Sequence, residues 1–286
     1  MKWEMLVTSL TFALVFLPLL AWKWRIKIKI AIGGGVIIGT LTGLIVSQIE
    51  NATGLNTALL IIIEPALIVL ITALIILTRF YRDPERSPTV TENVILSPAD
   101  GTVVYINKVE KRAALVSTKG ERKFKLNEIT DTDLLPNIVY LVGIDMNILN
   151  VHVNRSPIAG KTLLRKRIAG NFMSLRQQES EILNERVTTV IGNGSFSVGV
   201  IQIASRLVRK IVSYVKEGDE LQIGQRIGAI VFGSQVDVVI PELENLSIEI
   251  KVGDEVKAGI SIVASYGKME KNAFVVPFNE ENDRSA

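Results

Sequence analysis

The chain has 286 residues, 48% of them hydrophobic, and carries a formal net charge of only +3. Its mean hydropathy of +0.34 points to membrane segments, and so small a charge gives no case for nucleic acid as a partner. With no cysteine and a single histidine, His152, disulfides, thiol catalysis and thiolate or multi-histidine metal sites are excluded; carboxylates remain open to magnesium or calcium, but no metal site is expected.

Three apolar runs open the chain. Met5–Ala21 is seventeen residues without a charge, Ile30–Gln48 is a second such run, and Ala58–Leu77 is broken only by Glu64 and Pro65. A membrane span needs about 20 apolar residues, with roughly 17 as the lower limit. The second and third runs meet that requirement and the first sits at its edge. Trp22-Lys23-Trp24-Arg25 follows the first run and lacks the small residues of a signal cleavage site, so a retained helix is expected. Lys23, Arg25, Lys27 and Lys29 lie between runs one and two, Glu50 but no Lys or Arg between two and three, and Arg79, Arg82 and Arg86 after the third. That bias predicts a multi-pass cell-membrane protein with its N-terminus outside and its remaining bulk in the cytosol. Asn51-Ala52-Thr53 matches a glycosylation triplet on the outer loop, a match common by chance. Glu64 within a span suits either an ion path or a neutral carboxyl beside a proline kink; the lack of a second charge within these runs favours the latter.

Beyond Arg79 the pattern changes. Asp83–Pro88 reads as an extended linker. Val103–Val109, Ile138–Val142, Ser195–Ile203, Ile227–Phe232, Gln235–Ile240 and Leu246–Val252 are short β-branched runs between turn residues, which predicts strands. Helices are expected around Met173–Glu185 and through Arg206–Val215. Lys216–Ile227 and Lys251–Ile262 resemble each other at a spacing of 35 residues, each running from a Gly-Asp turn through a second glycine into an apolar strand. This resembles the barrel-sandwich hybrid of biotinyl and lipoyl carriers, although no hairpin presents a lone lysine. The expected architecture is three N-terminal transmembrane α-helices, residues 1–78, followed by a β-rich α+β domain, residues 79–286, with barrel-sandwich-hybrid-like repeats.

Three stretches carry candidate chemistry: Ser97-Pro98-Ala99-Asp100-Gly101, Val151-His152-Val153-Asn154-Arg155, and Phe232-Gly233-Ser234-Gln235-Val236-Asp237. Taken singly, the first is an ordinary turn, the second a packed histidine and the third a hairpin. Together they supply an acid, the sole imidazole and a glycine-preceded serine, the parts of an Asp–His–Ser relay. The Gly-x-Ser-x-Gly elbow of common hydrolases is missing.

With Phe80–Arg86, Asn184-Glu185-Arg186, Gln202-Ile203-Ala204 and Gly224–Pro241, these stretches make nearly all of Phe80–Gly267 similar to the phosphatidylserine decarboxylase proenzymes. The resemblance does not extend in detail to the three apolar runs. Leu149 stands where some members of that family have a second histidine, and Gln235 where a basic residue is common. The resemblance implies self-cleavage at Gly233–Ser234: His152, oriented by Asp100, deprotonates the Ser234 hydroxyl, which attacks the Gly233 carbonyl. The ester then undergoes β-elimination and hydrolysis to leave a pyruvoyl group at residue 234. The pyruvoyl cofactor so formed is an electrophile that takes up the substrate amine, and His152 assists protonation after carbon dioxide leaves. The substrate implied is a serine phospholipid, phosphatidylserine or its ether-linked counterpart archaetidylserine. Further partners would be the bilayer, the two cleavage fragments 1–233 and 234–286 held together, and a homodimer. Arg165, Lys166 and Arg167 are candidates for the lipid phosphate, with a solvated or membrane-facing basic strip as the equal alternative.

Two rival readings stand beside this one. A non-catalytic membrane-anchored adaptor or carrier accounts for the Gly-Asp repeat but leaves His152 and Phe232–Asp237 unexplained. A pyruvoyl decarboxylase of a soluble amino acid has no use for the apolar runs.

Overall fold

The computed structural model describes residues 3–24, 26–88, 92–110, 115–116, 123–124, 134–136, 138–170, 184–204, 210–231 and 234–267. The chain forms two compact units, Met1–Arg82 with Asn147–Val151, and Asp83–Met146 with His152–Ala286.

The first unit holds three helices, α1 (Trp3–Lys23), α2 (Ile28–Thr53) and α3 (Thr57–Phe80). Each is long and apolar enough to cross a membrane. Gly54, at φ 64°, ends α2 by donating to the Glu50 carbonyl, and the Asn56 side chain starts α3 by accepting from the Ala58 amide. The Asn51–Thr53 triplet is therefore the last turn of α2 and not part of a loop. Glycines at four-residue spacing bring α1 and α2 together. A Cβ at Gly39 would stand 2.9 Å from the Leu10 Cα, and one at Gly43 would stand 2.8 Å from the Leu6 Cα. Close backbone approach of this kind is the usual device where lipid removes the hydrophobic drive between helices.

The bundle interior is layered. Met5, Val46 and Leu60 cluster at one level, and Ala13, Ile38 and Ile68 at another. Between them, four residues from each on its own helix, lie Ser9, Thr42 and Glu64, all fully buried. Thr8 Oγ1 donates to Glu64 Oε1 at 2.9 Å. Among the described residues, Ser9 Oγ, Thr42 Oγ1 and Glu64 Oε2 make no hydrogen bond. Thr11, Thr53, Thr72 and Thr78 instead donate to carbonyls three or four residues back on their own helix. Also within this unit, Arg82 Nη2 donates to the Leu149 carbonyl at 3.0 Å.

The described part of the second unit is built of strands: β1 (Val94–Leu96), β2 (Gly101–Glu110), β3 (Leu115–Val116), β4 (Lys123–Phe124), β5 (Ile138–Met146), β6 (Val153–Arg155), β7 (Gly160–Ile168), β8 (Arg186–Gly192), β9 (Ser197–Ile203), β10 (Lys210–Ser213), β11 (Glu220–Leu221), β12 (Arg226–Val231), β13 (Ser234–Pro241), β14 (Ser247–Ile248), β15 (Glu255–Val256) and β16 (Ile262–Ser265). Eight of them form one antiparallel sheet in the order β11-β7-β8-β9-β13-β5-β2-β15. Two three-stranded sheets, β1-β16-β14 and β10-β12-β6, and the β3-β4 pair complete the set. Alternation along β5, β9 and β13 sends Ile144, Val200 and Val236 to one apolar cluster and Leu141, Ile201 and Val239 to another. The large sheet is thus covered on both faces.

Several of these strands are absent from the sequence reading, and β7 and β8 are the longest of them. β7 is concealed by its basic residues, whereas β8, buried along its whole length, holds a β-branched run, Val187–Ile191, that does favour a strand. The helix expected through Arg206–Val215 is overturned over Lys210–Ser213, which pairs with β12 and buries Ile211; a cross-strand ladder has outcompeted local helical propensity there. The helix expected at Met173–Glu185 falls outside the described residues up to 183.

The 35-residue repeat is present as a local unit. The Asp219 carboxylate accepts from the Lys216 amide at 2.9 Å, and the Asp254 carboxylate accepts from the Lys251 amide at 3.0 Å. Gly218 and Gly253 take φ of 91° and 97°, a region that favours glycine. The strands that follow, β11 and β15, are the two opposite edges of the eight-stranded sheet. A barrel-sandwich hybrid is not confirmed, because the repeats cap the ends of one sheet.

Candidate active site

The stretch from His152 to Pro157 is the hub of the site. On one side its Arg155 amide donates to the Pro98 carbonyl at 2.9 Å, and its Pro157 carbonyl accepts from the Leu96 amide at 2.9 Å. This fastens the Ser97–Gly101 turn alongside. On the other side, β6 pairs with β12 through Val153–Ala229 and Asn154–Gly228, and the His152 carbonyl accepts from the Ile230 amide at 3.1 Å. β12 runs on toward Phe232 and Gly233, which lie outside the described residues. The chain re-enters as β13, where Ser234 pairs with Met146 of β5. Backbone ladders thus bring the three stretches singled out from sequence into one neighbourhood.

His152 is 3% exposed and Asp100 6% exposed. Asp100 is held by groups other than His152. Arg86 grips it in a two-pronged ion pair, Nη1 to Oδ1 at 2.6 Å and Nη2 to Oδ2 at 2.9 Å, and the Ala258 amide donates to Oδ1 at 2.8 Å. No described hydrogen bond joins Asp100 to His152. A carboxylate has about four acceptor positions, and three are used. Leaving either charge of such a buried pair alone costs roughly 3–5 kcal/mol.

Arg155 is buried and donates to the carbonyls of Gly224 and Pro84, both at 3.0 Å, and to Asp83 at 3.3 Å. Burial, and then the neighbouring Arg226, push its guanidinium below the ordinary arginine value. Arg226 pairs with Asp83 at 2.5 Å and with Glu85 at 2.7 Å. The hydrogen bonds it donates to Glu85 and then Asp83 hold its guanidinium above the ordinary value. The stretch read from sequence as a linker is therefore built into the domain.

Two buried amides belong to the site and escaped the sequence reading. Gln202 Nε2 donates to Asn154 Oδ1 at 2.8 Å, and Asn154 Nδ2 faces the Met146 sulfur at 3.9 Å. Gln202 is 1% exposed, and its Oε1 has no partner among the described residues. Gly228 makes room for that amide: a Cβ there would stand 3.0 Å from Gln202 Nε2. Gln202 pairs with Val236 and Met146 with Ser234, so this polar pair lies beside the start of β13. The signal was present in Gln202-Ile203-Ala204, where a glutamine interrupts an apolar strand. Further along β13, Gln235 Nε2 donates to Asp237 Oδ1 at 2.8 Å and to the Tyr105 hydroxyl at 3.0 Å.

The basic trio separates. Strand alternation puts Arg165 and Arg167 on one face of β7 and Lys166 on the other. Arg167 is engaged by Glu185 at 2.9 Å and by the Ile211 carbonyl at 2.8 Å. A cleft of about 670 Å³, lined by residues including Leu134, Leu163, Phe196, Pro241 and Leu243, opens at the end of β13 opposite Ser234.

A family model described as phosphatidylserine decarboxylase matches residues 74–264. Three relatives are named as archaetidylserine decarboxylase proenzymes. That of Methanocaldococcus jannaschii is 45% identical over 185 residues, which is 65% of this chain and 87% of the relative. That of Methanothermobacter thermautotrophicus is 35% identical over 212 residues, 73% of this chain and 88% of the relative. That of Methanococcoides burtonii is 38% identical over 187 residues, 65% and 73% respectively. The chain is an enzyme of the carboxy-lyase class. It belongs to the phosphatidylserine decarboxylase family.

Proposed function

We propose that this protein cleaves itself between Gly233 and Ser234 and then removes carbon dioxide from a serine phospholipid head group, with archaetidylserine as the favoured substrate. The observation that carries the reading is the convergence of a buried His152, the Asp100 turn and the strand opening at Ser234. The names of three archaeal relatives favour the ether lipid. In the precursor, His152 takes the proton from the Ser234 hydroxyl as its oxygen attacks the Gly233 carbonyl. Asp100, fixed by Arg86, has one acceptor position left with which to orient the imidazole.

The pyruvoyl group implied for residue 234 supplies an electrophilic carbonyl for the substrate amine. The residues around the start of β13 suit such a group. Asn154 and Gln202 are buried, and among the described residues Gln202 Oε1 is an acceptor left open for an N–H donor. An unpartnered buried carbonyl of this kind costs roughly 1–3 kcal/mol, a cost that a nitrogen donor arriving with the substrate would remove. His152 is the chain's one group with an ordinary pKa near neutrality and is assigned the proton transfer at the substrate Cα.

The apolar helices support a membrane-held enzyme facing a lipid substrate. The basic residues flanking them favour a cytosolic catalytic domain, cleaved into fragments 1–233 and 234–286 that stay together. A homodimer, expected from family resemblance alone, has no observation behind it.

The test is mass spectrometry and a denaturing gel on protein purified from membranes, with lipid turnover on the same sample. Two fragments, a C-terminal one blocked at its amino end by a reducible ketone, and release of carbon dioxide from archaetidylserine are expected. Ser234→Ala should give one uncut band and no turnover. An intact chain that still decarboxylates the lipid would overturn the reading, and turnover of free serine alone would reassign the substrate.

A further inference from the structure

The three segments that bear the proposed reactive residues come from distant parts of the chain, yet all three are fastened to the short stretch Asp83–Arg86. Arg86 reaches the Ser97–Gly101 turn through its ion pair with Asp100, and Nη1 also donates to the Ala258 carbonyl at 2.7 Å. Arg155, three residues beyond His152, donates to Asp83 and to the Pro84 carbonyl. Arg226 lies on β12, the strand that leads to the cleavage junction, and donates to Asp83 and Glu85. Asp83 thus accepts from two arginines on different strands, one oxygen to each.

We propose that Asp83–Arg86 is a positioning strap for self-cleavage and that Arg86 is its principal anchor, a proposal that rests on the self-cleavage reading above. Serine attack on the preceding carbonyl requires base, hydroxyl and carbonyl to be held in a narrow geometry, and a displacement of about 1 Å can cost on the order of a hundredfold in rate. No single strand carries all three groups, so their mutual placement needs a cross-link. The strap supplies one. Its contacts are charge-assisted hydrogen bonds, stronger than neutral ones, and the one between Arg86 and Asp100 is two-pronged. Proline at 84 restricts Asp83 to extended conformations, which lowers the entropy lost on docking. Pro88 packs on Gly224, where a Cβ would meet the Pro88 ring at 2.6 Å. Arg226 is half-exposed and contributes little binding by itself, so its part is to aim β12. The described side-chain contacts of Arg86 are to Asp100 and the Ala258 carbonyl, so it acts through Asp100.

The experiment is cell-free synthesis of the full chain into lipid nanodiscs, with growth of the short C-terminal band followed on a denaturing gel. Each substitution is also placed in the Ser234→Ala chain, which stays uncut, to measure its folding by thermal melting. Per folded molecule, Arg86→Gln should slow cleavage by about a hundredfold and Asp83→Asn by about tenfold, and Arg86→Lys should recover to within about tenfold of the parent. A strap that only stabilises the fold would lower the melting temperature while folded molecules cleave at the parent rate, and that result overturns the proposal. So does a lysine variant no better than the glutamine one. Should Arg86→Gln not fold, Asp83→Asn decides, since it leaves the Asp100 contact intact. An uncut parent chain is a different failure: it removes the self-cleavage reading, and the strap's role falls with it.

Discussion

Asp100 and Ala159 stand at equivalent places in two turns of the same construction. Ser97 Oγ donates to the Ala99 carbonyl at 2.7 Å, and Ser156 Oγ donates to the Ile158 carbonyl at 2.6 Å. The Ser97 carbonyl accepts from the Gly259 amide at 2.7 Å, and the Ser156 carbonyl accepts from the Gly224 amide at 2.8 Å. Gly101 and Gly160 then open β2 and β7, each so close to a neighbouring carbonyl, that of Asp145 or Gly192, that no Cβ fits. Ser-Pro-x-x-Gly thus occurs twice, and each copy meets one of the two Gly-Asp repeats. Asp100 is buried against Arg86, whereas Ala159 is exposed. The scaffold is duplicated and its charge is not.

That asymmetry makes Asp100 replaceable by nothing in the second turn. Asp100→Asn should abolish or nearly abolish the short C-terminal band. Ala159→Asp in the same chain should fail to restore it, and alone should change stability by less than about 0.5 kcal/mol, as exposed substitutions do. Gels and thermal melts of the three variants check this.

Gln202→Leu keeps the shape of the side chain and removes its amide. It deprives the buried Asn154 Oδ1 of its donor, so a loss of roughly 1–3 kcal/mol is expected. Lipid turnover should fall further than cleavage does, because the open Oε1 is assigned to the substrate stage. Turnover unchanged in a folded, cleaved variant would refute that assignment.

Arg165, Lys166 and Arg167 do not converge, so none should dominate phosphate recognition. Alanine at each position is expected to change KM for the lipid by less than about fivefold, the scale of an exposed charge contact. A fiftyfold rise at any one of them would restore the trio to the binding site.

In the helical unit, Gly39→Leu should destabilise the bundle by about 1–3 kcal/mol through overpacking against Leu10. Glu64→Gln should cost less than about 1 kcal/mol, since an amide can both accept from Thr8 and donate to a neighbouring hydroxyl. Melting in detergent, followed by circular dichroism, measures both. A large loss in Glu64→Gln would mean that the carboxyl group itself is required.

Much of the candidate site was legible in the sequence because the proposed chemistry is carried by short runs of the chain. Ser97–Gly101, His152 and Gly233–Ser234 are short motifs, and backbone ladders draw the Asp100 turn, the His152 segment and the start of β13 into one neighbourhood. The strap was not legible, because Asp83–Arg86 has the composition of any charged linker and its partners lie up to 172 residues away. β7 was missed because Lys161, Arg165, Lys166 and Arg167 interrupt its apolar pattern, whereas the β-branched Val187–Ile191 run of β8 did carry a strand signal.

By itself, the sequence determined that three apolar runs come first, that any imidazole chemistry has one candidate, His152, and that Gly233–Ser234 is the bond to test. Run length, residue counts and adjacency are properties of the chain alone. Only the tertiary structure decided that Arg86 holds Asp100, that the repeats occupy opposite edges of one sheet and that Ser9, Thr42 and Glu64 share a buried layer. Those relations are made by ladders and ion pairs between residues far apart in sequence, whose strength depends on burial, and burial exists only once the chain has folded.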